Sequence, residues 1–234
     1  MKNITRKPKP KSLVDGEKKW KSDLVAEIRK VKKSKAKKKP KIPDKFYNHY
    51  KQDDVLVALK GMYNGCCCYC ECLIGTVCYD QIEHMRPKRK SLSEYPELTF
   101  DWDNLHLCCQ KCNTSKGNKF DENEPILDPV IDPIPVHLGF HRTPNGVFCE
   151  PISDRGETTR AHADLDREDL IKRRLEVYAK TVETILEIAS ERKKNGTKGK
   201  HKAQTALRAL RSLASGENGG LISWTLEKWK DVIE

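Results

Sequence analysis

Gln81-Ile82-Glu83-His84-Met85-Arg86-Pro87-Lys88 and, further along, Asp101-Trp102-Asp103-Asn104-Leu105-His106-Leu107-Cys108-Cys109 decide how this chain folds. The first stretch reads as a strand that ends in a carboxylate beside a histidine. The second reads as its partner, with Leu105, Leu107 and Cys109 on one face because successive strand side chains alternate. A helix is expected from near Lys111, presenting Asn113 and Lys116 at i, i+3 on one side. Cys112 then lies about 100° around from Asn113 and points elsewhere. Strand, loop, strand and helix would bring Glu83, His84 and Asn113 together.

This segment is bounded by cysteines. Cys67-Cys68-Tyr69-Cys70 and Cys109-Gln110-Lys111-Cys112 each contain a Cys-x-x-Cys hook, and two hooks supply the four thiolates of a tetrahedral structural zinc. The expected ligands are Cys67, Cys70, Cys109 and Cys112, with the insert between the hooks carrying the chemistry. Cys66, Cys68, Cys72, Cys78, Cys108 and Cys149 are surplus, and Cys66 or Cys68 could replace a ligand of the first hook. Met1 is followed by lysines rather than an apolar signal stretch, so ten cysteines, three of them consecutive, read as reduced thiols and not as a disulfide framework.

Outside the insert the chain changes character. The 234 residues are enough for an ordinary core. The longest aliphatic run, Val55 to Leu59, is far short of the roughly 20 residues of a membrane span, so a cytoplasmic protein with no membrane association is expected. Net charge is +11, yet residues 1–45 hold 18 Lys/Arg against 5 Asp/Glu, and the remainder is nearly neutral. Residues 1–45 are therefore expected to be a basic, largely extended arm, with a weak helical segment near Trp20, Leu24 and Ile28. Runs such as Lys35 to Lys41 suit a polyanion, since clustered lysines gain affinity by releasing phosphate counterions, so nucleic acid is the expected partner.

Residues 46–152 should form the cysteine-bearing domain. It opens with a helix from Asp53 to Met62 and closes with two strands in Val136 to Ile152, joined at Thr143-Pro144-Asn145-Gly146. Residues 153–234 should be helical. Leu165, Leu170, Ile171, Leu175, Tyr178, Val182, Ile185, Leu186 and Ala189 form one stripe that Asn195-Gly196 ends, and shorter helices follow around 203–213 and 221–233. Their apolar faces exceed what a small core can cover, which suggests docking on a partner. The expected class is α+β.

Glu-His-x-x-Pro, followed by Asn-Leu-x-Leu-x-Cys-x-x-Cys-Asn-x-x-Lys-Gly, resembles the HNH endonucleases, which cut phosphodiesters with a ββα-metal fold. The wider string, from Cys-x-Tyr-Cys-Glu through Tyr95-Pro96-Glu97 to Lys119-Phe120, is similar to the PtuB-like HNH component of Septu-type and retron-associated antiphage systems. The likeness spans about residues 60–152. It implies a zinc-clamped HNH core acting on DNA or on structured RNA such as tRNA. It also implies a separate PtuA-like ATPase subunit and, in retron-linked members, a reverse transcriptase with its msDNA.

Roles follow from the resemblance and agree with the chemistry. His84 is the general base, a neutral imidazole able to take a proton near pH 7. Glu83 and Asn113 offer oxygen ligands to Mg²⁺ or Mn²⁺, although many family members carry Asp or His where Glu83 stands. Asn104 pins the loop that carries the base, and Lys116 neutralises developing phosphoryl charge. His106 is a further candidate facing the site, while Arg86, Lys88, Arg89 and Lys90 are either phosphate contacts or a solvated loop. The alternatives are a non-catalytic zinc-stabilised binding module and a thiol redox protein. The first has no need of Glu83, His84 and Asn113 as a set, and the second leaves the histidine and asparagine unexplained.

Overall fold

A computed structural model gives the fold and describes residues 1–35, 40–75, 79–194 and 196–233, with the side chains of all but residues 90, 91, 93 and 194. The middle of the Lys35–Lys41 run, Cys78, Asn195 and the Lys90 side chain lie outside the described residues. The elements in chain order are α1 (Lys11–Lys33), α2 (Asp53–Tyr63), β1 (Asp80–His84), α3 (Lys88–Ser93), β2 (Leu105–Cys109) and α4 (Gln110–Lys116). Next come β3 (Leu138–Thr143), β4 (Gly146–Pro151), α5 (Asp154–His162), α6 (Glu168–Lys194), α7 (Gly196–Leu213), α8 (Gly219–Lys228) and α9 (Lys230–Ile233). The chain is α+β, with helices around two separate antiparallel hairpins, β1–β2 and β3–β4. Among the described residues no helix is long and apolar enough to cross a membrane.

In the β1–β2 register Glu83 lies opposite His106 and Gln81 opposite Cys108, while His84 lies opposite Leu105 and Ile82 opposite Leu107. Directly paired residues share a face, so one face carries Gln81, Glu83, His106 and Cys108, and the other carries Ile82, His84, Leu105 and Leu107. Cys109 ends β2 and caps α4, its Sγ accepting a hydrogen bond from the Cys112 amide at 3.5 Å. Gly117 closes α4 at φ +51°, a left-handed turn that favours glycine.

The expectation of a largely extended arm is corrected. Residues 11–33 form a 23-residue helix. Leu13, Leu24 and Ile28 are buried, and their helical spacing is hidden among lysines that face solvent. Trp20 stacks on His49, centroids 4.9 Å apart, and meets Phe100 edge-on. Gly16 permits this, since a Cβ there would fall 2.2 Å from the Trp20 ring. Residues 1–10 are extended but tied down: the Ile4 amide donates to the Pro129 carbonyl (2.8 Å), and the Trp102 indole donates to the Lys7 carbonyl (2.8 Å). One apolar cluster accordingly runs from Met1 and Leu13 through Leu59, Phe100 and Leu107 to Leu170.

The C-terminal helices largely cover one another. Ile185 and Ile188 of α6 pack with Ala203, Leu207 and Leu210 of α7, Ile222 of α8 and Ile233 of α9. Leu186 and Leu213 stay exposed.

Candidate active site and cysteine cluster

The hairpin, α4 and the loop after β1 position the expected site residues. His84 ends β1 almost fully buried. Its Nε2 lies 3.0 Å from the Thr99 carbonyl. A carbonyl only accepts, so Nε2 carries the proton and Nδ1 holds the basic lone pair. Burial, aided by the charges of Lys88 and Lys116 and opposed by the Thr99 bond, pushes the imidazole down to about 3 and keeps it neutral. The Tyr50 ring stands edge-on to it at 4.5 Å and 90°.

Asn104 brackets the loop that follows. Its Oδ1 accepts from the Arg86 amide (2.7 Å), and its Nδ2 donates to the Arg86 carbonyl (3.2 Å) and the Leu98 carbonyl (3.0 Å). One buried side chain thus ties the chain just beyond His84 to the segment that supplies Thr99.

Glu83 points from the opposite face. Its Oε1 is 2.5 Å from the Lys116 ammonium, and both side chains are buried. Burial raises the Glu83 carboxyl, against the pull of Lys116. Lys116 also donates to the His84 carbonyl (3.0 Å). The Lys116 ammonium, expected to neutralise developing phosphoryl charge, is thus fully buried and engaged by Glu83 and the His84 carbonyl. Asn113, one turn earlier on α4, donates from Nδ2 to Gln81, which shares a strand face with Glu83. The expected meeting of Glu83, His84 and Asn113 is realised only in part, because strand alternation sends the imidazole to the other side. A cavity of about 490 Å³ opens along this edge, lined in part by Tyr50, Gln52, Leu56, Gln81, Ile82 and Asn113.

His106 is fully buried between Tyr63, whose hydroxyl lies 2.5 Å from Nδ1, and Arg6, which donates to Nε2 at 3.3 Å. It belongs to the core and does not reach the cavity edge. Arg86 pairs with Glu122 (2.7 Å) and stacks over Phe120, while Lys88 lies over the Tyr47 ring and 3.4 Å from the Tyr50 hydroxyl. Tyr50 and Thr99 shape the site without any local motif. They come from distant segments and contribute a ring and a backbone carbonyl, so no spacing announces them.

Cys67, Cys70, Cys109 and Cys112 are all buried with their sulfurs mutually within 4.8 Å. The Cys70 and Cys109 sulfurs are 3.8 Å apart, matching the edge of about 3.8 Å for a tetrahedron of sulfurs about 2.3 Å from one ion. The Arg167 guanidinium donates to Cys112 Sγ at 3.3 Å, adding positive charge beside the thiols. Four buried cysteines thus form a cluster able to hold a structural metal ion.

The sequence is 35% identical over 183 residues to Septu protein PtuB of Bacillus mycoides (strain KBAB4), which covers 67% of this chain and 60% of the relative. It is 33% identical over 134 residues to Septu protein PtuB of Bacillus thuringiensis, covering 56% of this chain and 49% of the relative. The chain therefore spans about half to three-fifths of the length of these curated relatives. No family model matches it, and no solved structure does. Over more than half of its length, then, the chain is similar to the Septu PtuB proteins, the likeness that its Glu-His and cysteine string implied.

Proposed function

We propose that this chain is a metal-dependent HNH-type nuclease and the effector of a Septu antiphage defence complex. The observation that carries the reading is His84: a neutral imidazole at the end of β1 whose proton is held on Nε2 by Thr99, leaving Nδ1 as a base, just before the loop that Asn104 brackets.

Glu83 and the Asn113 amide oxygen are hard donors that fit Mg²⁺ or Mn²⁺. The Lys116 ammonium already sits on the carboxylate, so a divalent ion would exchange with it. Such an ion, held by Glu83 and Asn113, would stabilise the scissile phosphate and the leaving oxygen. His84 takes the proton of the attacking water at Nδ1, while the Thr99 carbonyl orients the ring and Asn104 ties down the loop that follows it. The cysteine tetrad holds zinc and fixes the root of α4 against the end of β2.

DNA is the favoured substrate, with structured RNA such as tRNA the alternative. Control comes from a PtuA-like ATPase subunit, with a reverse transcriptase and msDNA in a retron-linked setting. Incubating the purified complex with plasmid, single-stranded DNA and total RNA, in Mg²⁺ or Mn²⁺ and with EDTA, tests the reading. Metal-dependent, EDTA-sensitive cleavage of one of them is expected; nucleic-acid binding without cleavage under every condition would favour the binding-module reading.

A further inference from the structure

We propose that Cys67, Cys68 and Cys108 bind a second zinc ion, joined to the first through the shared Cys67 thiolate. This rests on the tetrad binding zinc, but it is independent of nuclease activity. Cys68 and Cys108 belong to neither Cys-x-x-Cys hook as the tetrad uses them, yet the fold brings both to Cys67. The three sulfurs lie mutually within 4.8 Å, and all three residues are buried. Cys67 and Cys108 sulfurs are 3.8 Å apart, the same separation as Cys70 and Cys109 across the tetrad.

The backbone fixes this convergence. Cys108 lies on the β2 face that carries Glu83, whereas Cys109 lies on the other, so adjacent cysteines serve different sulfur groups. Cys68 is held beside β2 by a hydrogen bond from its amide to the Leu107 carbonyl (2.8 Å). The Cys67 amide donates to the Cys72 carbonyl (3.0 Å), and the Glu71 amide donates to the Cys67 carbonyl (3.0 Å), which tightens the knuckle around the shared sulfur. Six cysteines thus make two sulfur groups with one member in common.

Charge selects the ion. Zn²⁺ with four thiolates leaves a buried net charge of −2. A second Zn²⁺ that displaces the protons of Cys68 and Cys108 adds two thiolates and two positive charges, and it releases two protons to solvent. The buried charge is then unchanged. A monovalent soft ion in the same place would leave one more uncompensated negative charge, which a low-dielectric interior penalises.

Native mass spectrometry of the full-length protein, purified without chelator from zinc-supplemented medium, tests this by counting zinc per chain. Two ions are expected in the unaltered protein and one in each of Cys68→Ser and Cys108→Ser, while Cys72→Ser keeps two. One zinc in the unaltered protein overturns the second site, whatever the variants do, and leaves Cys68 and Cys108 as thiols that merely hydrogen-bond to the first site. Two ions persisting in Cys68→Ser or Cys108→Ser also overturn it. No zinc at all overturns the tetrad reading as well.

Discussion

Asn104 commits its whole amide to backbone: one carbonyl oxygen and two N–H groups meet Arg86 and Leu98. Asn104→Ala should leave these part-buried groups without that partner, at no more than about 1–3 kcal/mol each. Amide exchange in residues 84–88 should rise and cleavage should fall, while zinc content stays constant; unchanged exchange would show that the loop is held by other contacts. The buried histidines predict an acid effect. His84 is pushed down to about 3 and His106 lies well below its ordinary value, both chiefly by burial. The unfolded chain binds their protons near the ordinary imidazole value of about 6.5, whereas the folded protein does not. Their stabilising contribution is therefore complete above that value and is lost as pH falls below it. Urea midpoints should drop between pH of about 7.5 and about 5.5, and His106→Gln should flatten the drop; an equal drop in both would assign it to other groups.

Among the elements, those with strong local signals were legible. The alternation around Leu105 and Leu107 marks β2, the Pro-Asn-Gly turn marks β3–β4, and Val55, Leu59 and Met62 mark α2. The paired hooks mark the tetrad for the same reason, since sulfur ligands must recur at knuckle spacing. Helix α1 is harder to see because its few apolar residues are diluted by lysine, and its burial depends on Phe100 and His49 from elsewhere in the chain. The opposite projection of Glu83 and His84 follows from the strand register, and Tyr50 and Thr99 reach His84 only through tertiary folding. Two predictions belong here. Cys112→Ser should lose the tetrad metal and unfold the β1–β2–α4 unit, because metal-binding energy in such knuckles is largely folding energy; a zinc content equal to that of the unaltered protein would contradict this. Exposed Lys18, Lys19, Lys32 and Lys33 make α1 a cationic face. Their joint change to Ala should weaken nucleic-acid binding and reduce the log–log salt slope by about 0.7–0.9 for each phosphate that α1 no longer neutralises. An unchanged slope would assign α1 to another surface.

For the molecule as a whole, the residues that a lysine-rich sequence offered as a free arm are part of the same core as the site. Arg6 reaches the Leu105 carbonyl at 2.8 Å beside His106, so the N-terminal strap, the hairpin and α4 respond together. The C-terminal helices pack on one another and on the second hairpin, with Leu186 and Leu213 left exposed. In the proposed function, the base and oxygen ligands belong to this chain and nucleotide-driven regulation to a separate ATPase subunit. The most direct measurement compares the unaltered chain with His84→Ala, each co-purified with its ATPase, for cleavage and for binding of the same nucleic acid in Mg²⁺. Cleavage should fall by about 10²- to 10⁴-fold in the variant while binding and zinc content hold; near-normal turnover by His84→Ala would contradict a nuclease built on that imidazole.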